Sequence, residues 1–168
     1  MEQNELLLRT AFACMSCDGE IASEEVALIK QMSKENHLFG EIDIEKELDT
    51  LVKEINLKGK GFLKQYLTSL AEETLTEEQE LKVADVAVQT IRVDNRIEYS
   101  EIKFFKVLRS NLKIVSDETL LKMIDGIDEN YLAQDIQADY LQMYDDYFST
   151  IELPKFEILK HDLKSIGS

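Results

Sequence analysis

Four carboxylates stand in two matched sets. Asp18 and Glu25 recur as Asp94 and Glu101, 76 positions further on. Each set sits in one skeleton: Asp, then Gly or Asn, any residue, Ile, three variable positions and Glu. If the two sets face each other, four carboxylates converge, and like charges at close range call for a cation or basic side chains between them. A donor set made only of oxygen suits Ca2+ or Mg2+, with waters completing the shell. The plainer alternative is local. Each Asp serves the turn that ends one helix, each Glu serves the start of the next, and the pairs never meet. Helix ends account for most of the pattern.

One detail resists the plain account. Asp18 and Asp94 fall at the C-terminal ends of helices, where the macrodipole favours cations, so a carboxylate there costs about 0.3–1 kcal/mol unless compensated. An Asx-turn to nearby backbone N–H groups, Arg92 or Arg96 in the second copy, or a bound cation would each relieve the misfit.

Other reactive residue types carry weaker signals. Cys14-Met-Ser-Cys17 has redox spacing, but a dithiol site normally opens a helix, where the dipole lowers a thiol pKa. Here the pair lies near a helix end inside an apolar run, with no second pair or His to complete a zinc site, so buried core thiols are favoured. His37 and His161 have no ligand spacing and read as loop or surface residues. Lys58-Gly-Lys-Gly61 superficially suggests phosphate binding, yet no strand precedes it and the P-loop spacing is missing, so it reads as a turn. Asp125-Gly126-Ile127-Asp128 imitates the skeleton without the Glu and reads as a helix stop. Serines and threonines cluster at helix starts, which explains them without nucleophilic chemistry.

The elements that would position the acids are helical. Apolar runs from Leu6 to Cys17 and from Leu81 to Val93 precede the two Asp residues. Gly19 and Asn95 tolerate the left-handed conformation that ends a helix. Ile21 with Val26, and Ile97 with Ile102, have the spacing of a hydrophobic staple, with caps at Ala22 and Glu98. Glu25 and Glu101 then fall at the third helical position, where Glu reaches back to the cap backbone. The echo extends through Ala11 and Ala87, Leu28 with Ile29 and Phe104 with Phe105, and Met32 and Leu108.

In chain order, the expected helices span about residues 2–17, 23–36, 43–55, 62–73, one opened by the capping box Thr76-Glu-Glu-Gln79, 100–112, and one from Ser116 or Asp117 to near Gly126. Helix 3 carries Ile44, Leu48, Leu51, Val52 and Ile55 on one face. From Asp117 to Thr150 there are nine acidic residues and one Lys. Within that stretch Leu132, Ile136, Tyr140, Tyr144 and Phe148 recur every fourth residue, a stripe expected to pack on the bundle. After Pro154, the residues Phe156, Leu159, Leu163 and Ile166 fit a short helix, while Ile151, Leu153, Phe156 and Ile158 fit extended chain. Both readings stay open.

Composition bounds the function. The chain has 168 residues, 44% of them hydrophobic, and a net charge of −15. That length carries a real core. The charge argues against nucleic acid or anionic membranes as direct partners and suits a cation or a basic protein, although a solubilising surface is the commoner reason for it. Two cysteines form no disulfide framework. No signal peptide or spanning segment is apparent, so the expected location is the cytoplasm, without membrane insertion.

The paired Asp-Gly/Asn-x-Ile-x-x-x-Glu units, each after an apolar helix, resemble the TerB-like family. That family is named for bacterial tellurite-resistance proteins and includes N-terminal domains of some membrane-anchored co-chaperones. The likeness runs from about Glu2 to Leu112 and on toward Gly126. The first unit is the more typical, because Asn95 and Arg96 weaken the second; both units depart from the family at the cap, where Ala22 and Glu98 stand in place of the usual Ser, Thr or Asp. The resemblance implies an all-helical bundle with its two units near each other, acidic residues proposed as a cation site, no established enzymatic activity, and a broad role in stress response or ion handling.

The expectation is therefore an all-α compact bundle of about seven to nine helices. Residues 1–126 form a TerB-like domain with its repeat at about 6–32 and 82–108, and residues 127–168 form an acidic, helical extension. The expected function is a non-enzymatic adaptor or sensor of a stress-response system, with Asp18, Glu25, Asp94 and Glu101 binding Ca2+ or Mg2+. One alternative is a metal-free interaction module whose acidic, Tyr-striped extension recruits a basic protein or forms a homodimer. A metal-dependent hydrolase is weaker, because no positioned base, nucleophile or substrate clamp accompanies the acids.

Overall fold

The computed structural model describes residues 2–93, 97–127, 129–132, 140–157 and 159. They form an all-helical bundle: α1 Gln3–Ser16, α2 Ser23–Asn36, α3 Ile44–Lys58, α4 Lys60–Glu72, α5 Glu77–Arg92, α6 Tyr99–Ser110, α7 Asp117–Met123 and α8 Tyr140–Thr150, with a 3-10 turn at Glu129–Tyr131.

α1 is the central rod because almost every side chain after its first turn is apolar. Residues from Leu6 to Met15, Arg9 apart, are buried around the full circumference. Each large side chain so buried is worth about 1.5–3 kcal/mol. The polar members of the run are satisfied internally. Thr10 Oγ1 donates to the Leu6 carbonyl at 2.8 Å and shares a 2.6 Å hydrogen bond with Tyr66, and Ser16 donates to Phe12 at 2.9 Å. α1 packs most extensively on α5, the apolar helix of the second repeat. Ala11 and Ala87, equivalent in the repeat, are both fully buried, and small side chains there let the two backbones approach.

α3 buries the five residues that share one face, Ile44, Leu48, Leu51, Val52 and Ile55. Its register is set at the start by Asp43, which accepts from the Lys46 N–H at 3.3 Å. The helix runs three residues further than the sequence suggests, to Lys58, and α4 begins directly after Gly59. The two lysines of that turn are committed within the chain. Lys58 pairs with Glu54 at 3.2 Å and Gln65 at 2.9 Å, and Lys60 donates to the Phe148 carbonyl at 2.7 Å. Thr76 and Gln79 close their capping box at 3.1 and 2.9 Å.

α7 stops before Gly126, whose φ of +91° suits only glycine here; a Cβ would fall 1.8 Å from Nη1 of Arg92. Asp128 lies outside the described residues. Lys113 and its neighbours, between α6 and α7, are held by Glu80 of α5. This carboxylate, 2% exposed, accepts from the backbone N–H groups of Lys113 at 2.7 Å, Ile114 at 2.9 Å and Val115 at 2.8 Å.

α8 packs along α6. Of the expected stripe, Leu132 and Phe148 are buried and Tyr140 and Tyr144 are half-buried, while Ile136 lies outside the described residues. The deepest residue is one the stripe leaves out. Tyr147 is fully buried, its ring 5.2 Å from that of Phe104 and 4.8 Å from that of Phe148. Residues 151–157 are not helical, which resolves the first part of the open question after Pro154; Ile158, Leu163 and Ile166 lie outside the described residues. Among the described residues no helix is long and apolar enough to cross a membrane.

Candidate functional site

The first corner starts where α1 ends. Cys17 keeps right-handed helical angles, and Gly19 turns the chain at φ +86° with its N–H on the Ser16 carbonyl at 3.0 Å. Asp18 Oδ1 accepts from the Glu20 N–H at 2.9 Å. This is the Asx-turn that relieves a carboxylate at a helix C-terminus. Burial pushes the Asp18 carboxyl up to about 6, against the lowering pull of the Glu20 N–H, and the charges of Glu20 and Glu98 add to the rise.

The helix starts match closely. Ala22 has φ −78° and ψ 145°, Glu98 has φ −80° and ψ 149°, and neither side chain caps its helix. At Ala22 the side chain has no acceptor to offer, and in both copies the N3 glutamate supplies the return half of the capping box. Glu25 accepts from the Ala22 N–H at 2.9 Å and Glu101 from the Glu98 N–H at 2.8 Å. The staple residues differ between copies: Ile21 packs against the core, whereas Ile97 is 45% exposed. The backbone at the two cap positions is thus the same whichever residue stands there.

Glu25 and Glu101 are 3% and 2% exposed, and both act on the same two thiols. Burial pushes Cys14 well above the usual thiol range, and the carboxylates of Glu101 and Glu25 push it further. Cys17 is raised by burial, by Cys14, and by Glu101, Asp18 and Glu25. Both thiols are free, fully buried and protonated, and Cys17 donates to the Cys14 carbonyl at 3.2 Å. A raised pKa is the opposite of what redox or metal-binding cysteines need.

Asp18, Glu25 and Glu101 each hold a main-chain N–H of their own corner, Asp18 half-buried after α1 and the two glutamates buried in the first turns of α2 and α6. Asp94, with Asn95 and Arg96, lies outside the described residues, as does His161. Among the described residues no group of three or more His, Cys, Asp or Glu side chains is disposed to hold a metal ion. His37 ends α2 in the left-handed conformation, φ 50°, and is exposed, a loop residue as its surroundings in the sequence suggest.

Two further residues shape the corner and were not legible beforehand. Tyr147 donates its hydroxyl to the Cys17 carbonyl at 2.6 Å, tying α8 to the residue before Asp18. Asn56 of α3 holds the chain beyond α8, donating to the Phe156 carbonyl at 2.8 Å and accepting from its N–H at 2.7 Å. Beside the corner lies a cleft of about 770 Å3 between Ile21, Val26 and Ala27 on one side and Pro154, Phe156 and Leu159 on the other.

No family model, no curated protein and no solved structure matches the chain.

Proposed function

We propose that this chain is a non-enzymatic adaptor or sensor module of TerB-like type, whose paired acidic corners respond to a divalent cation, Ca2+ or Mg2+. One observation carries the reading: Glu25 and Glu101, equivalent acids of separate repeats, are both buried at the starts of their helices, and Asp18 is half-buried in the first corner. Buried acids brought together by the packing of the two repeats would favour a hard cation between them. The assignment to stress response rests on the resemblance of the two units to the TerB-like family. Tellurite is an anion, and a chain of net charge −15 is a poor direct receptor for it.

The test is a titration with Ca2+ and with Mg2+, followed by calorimetry and thermal melting. Heat of binding together with a rise in melting temperature is expected. No heat and no shift at millimolar metal would end the cation reading.

A metal-free interaction module is the second reading, and a specific observation favours it. Asp18, Glu25 and Glu101 each accept a main-chain N–H of their own corner, from Glu20, Ala22 and Glu98. In that reading the acidic surface recruits a basic protein or a second copy. The tyrosines are poorer candidates for that contact, because Tyr147 is buried and Tyr140 and Tyr144 pack on the bundle.

A further inference from the structure

The segment Ile151–Glu157 leaves α8 and runs without regular secondary structure across the first corner. Ile151 and Phe156 are buried and Leu153 is half-buried against the core, with Glu152, Pro154, Lys155 and Glu157 exposed. The polar attachment converges on one residue. Asn56 makes both side-chain bonds to the Phe156 backbone, and the Lys155 ammonium donates to the Asn56 carbonyl. Against this anchorage stands the conformational entropy of seven ordered residues outside any helix, the balance on which local opening depends.

The same segment is pressed on the corner. A Cβ at Gly19 would stand 3.1 Å from the Glu152 carbonyl oxygen and 3.7 Å from Cδ of Pro154. The helix from which the segment departs is bonded to the residue before Asp18 through Tyr147. The apolar side chains Ile21, Val26 and Ala27 face Pro154 and Phe156 across the cleft.

We propose that Ile151–Glu157 is a latch over the first corner, locked by Asn56, which opens as a unit while the α1–α5 core stays folded and whose docking orders the turn at Gly19 and Glu20. The latch goes beyond the function proposed above and is independent of whether a cation binds. When closed it covers the corner and forms one wall of the cleft; when open it exposes the corner and removes that wall.

Amide hydrogen exchange on the full chain, comparing the unaltered protein with Asn56→Ala and Lys155→Ala, tests this. In the unaltered protein the amides of residues 151–157, Pro154 apart, should exchange about tenfold or more faster than those at the centres of α1 and α5. Asn56→Ala should speed the latch amides further and carry the Glu20 and Ile21 amides with them, leaving α1 and α5 as they were. Lys155→Ala alters an exposed side chain and serves the same purpose should Asn56→Ala loosen α3 itself. Latch amides that exchange in step with α1 and α5 would overturn the proposal. So would a freed latch that leaves Glu20 and Ile21 unchanged.

Discussion

The hydroxyl of Tyr147 donates to the Cys17 carbonyl across 2.6 Å, joining the last described helix to the first. Burial raises this phenol far above the usual tyrosine range, so it stays a neutral donor. Tyr147→Phe keeps the ring against Phe104 and Phe148 but removes the donor from a buried carbonyl. A loss of about 1–3 kcal/mol is expected. Urea unfolding reads it directly, and an unchanged midpoint would mean that the bond holds nothing.

Glu80 carries a larger share of the fold than its type suggests. Three consecutive N–H groups end on its carboxylate, and hydrogen bonds to a charged group contribute about 1.5–3 kcal/mol each. Glu80→Ala should therefore cost more than about 3 kcal/mol, since the orphaned donors sit at a partly buried loop. Glu80→Gln is expected to fall between, because its NH2 group faces donors. Equal stability of the two variants in chemical denaturation would contradict this account.

Stability should depend on pH through Asp18. Its folded value, about 6, lies above the ordinary 3.8, so the folded state holds the proton more tightly. The carboxyl therefore favours folding most at low pH, and its contribution falls as pH rises from about 4 to about 6. Asp18→Asn keeps the acceptor of the Asx-turn and removes the charge. It should raise the melting temperature at pH 7.5 in metal-free buffer and leave it nearly unchanged near pH 4. A lower melting temperature at pH 7.5 would show that the charge itself is needed.

Cys14 and Cys17 should be silent to thiol reagents in the native state. Both are fully buried, and burial with nearby carboxylates keeps them protonated. Labelling is expected at the rate of unfolding. Rapid modification of either thiol in native buffer would contradict the burial.

What the sequence made legible was local. The caps at Ala22 and Glu98, the start of α2 at Ser23 and the buried face of α3 follow from spacings of a few residues, and each is found. Helix ends slipped by one to three residues, as at α3, where Leu57 and Lys58 continue the helix up to Gly59. What was not legible is long-range. Glu80 sits in an acidic first turn with Glu77 and Glu78, and its partners lie more than 30 residues on. Asn56 meets Phe156 across 100 positions. Tyr147 was missed because a strict four-residue step selects Tyr144 and Phe148, whereas a core-facing helix buries a broader stripe that includes the residue between. At the corners, the spacing identified the helix starts and the glutamates that reach back to them; how the two repeats pack on each other is not written in that spacing.

The pairing of α1 with α5 has a consequence for autonomy. Each is the apolar rod of one repeat, and each finds its main cover in the other. Neither repeat therefore owns a complete interior. Polypeptides divided in the connection between α4 and α5 should each be largely unstructured alone and regain helicity when mixed, as circular dichroism would register. Independent folding of either piece would mean that the duplication joined two self-sufficient modules.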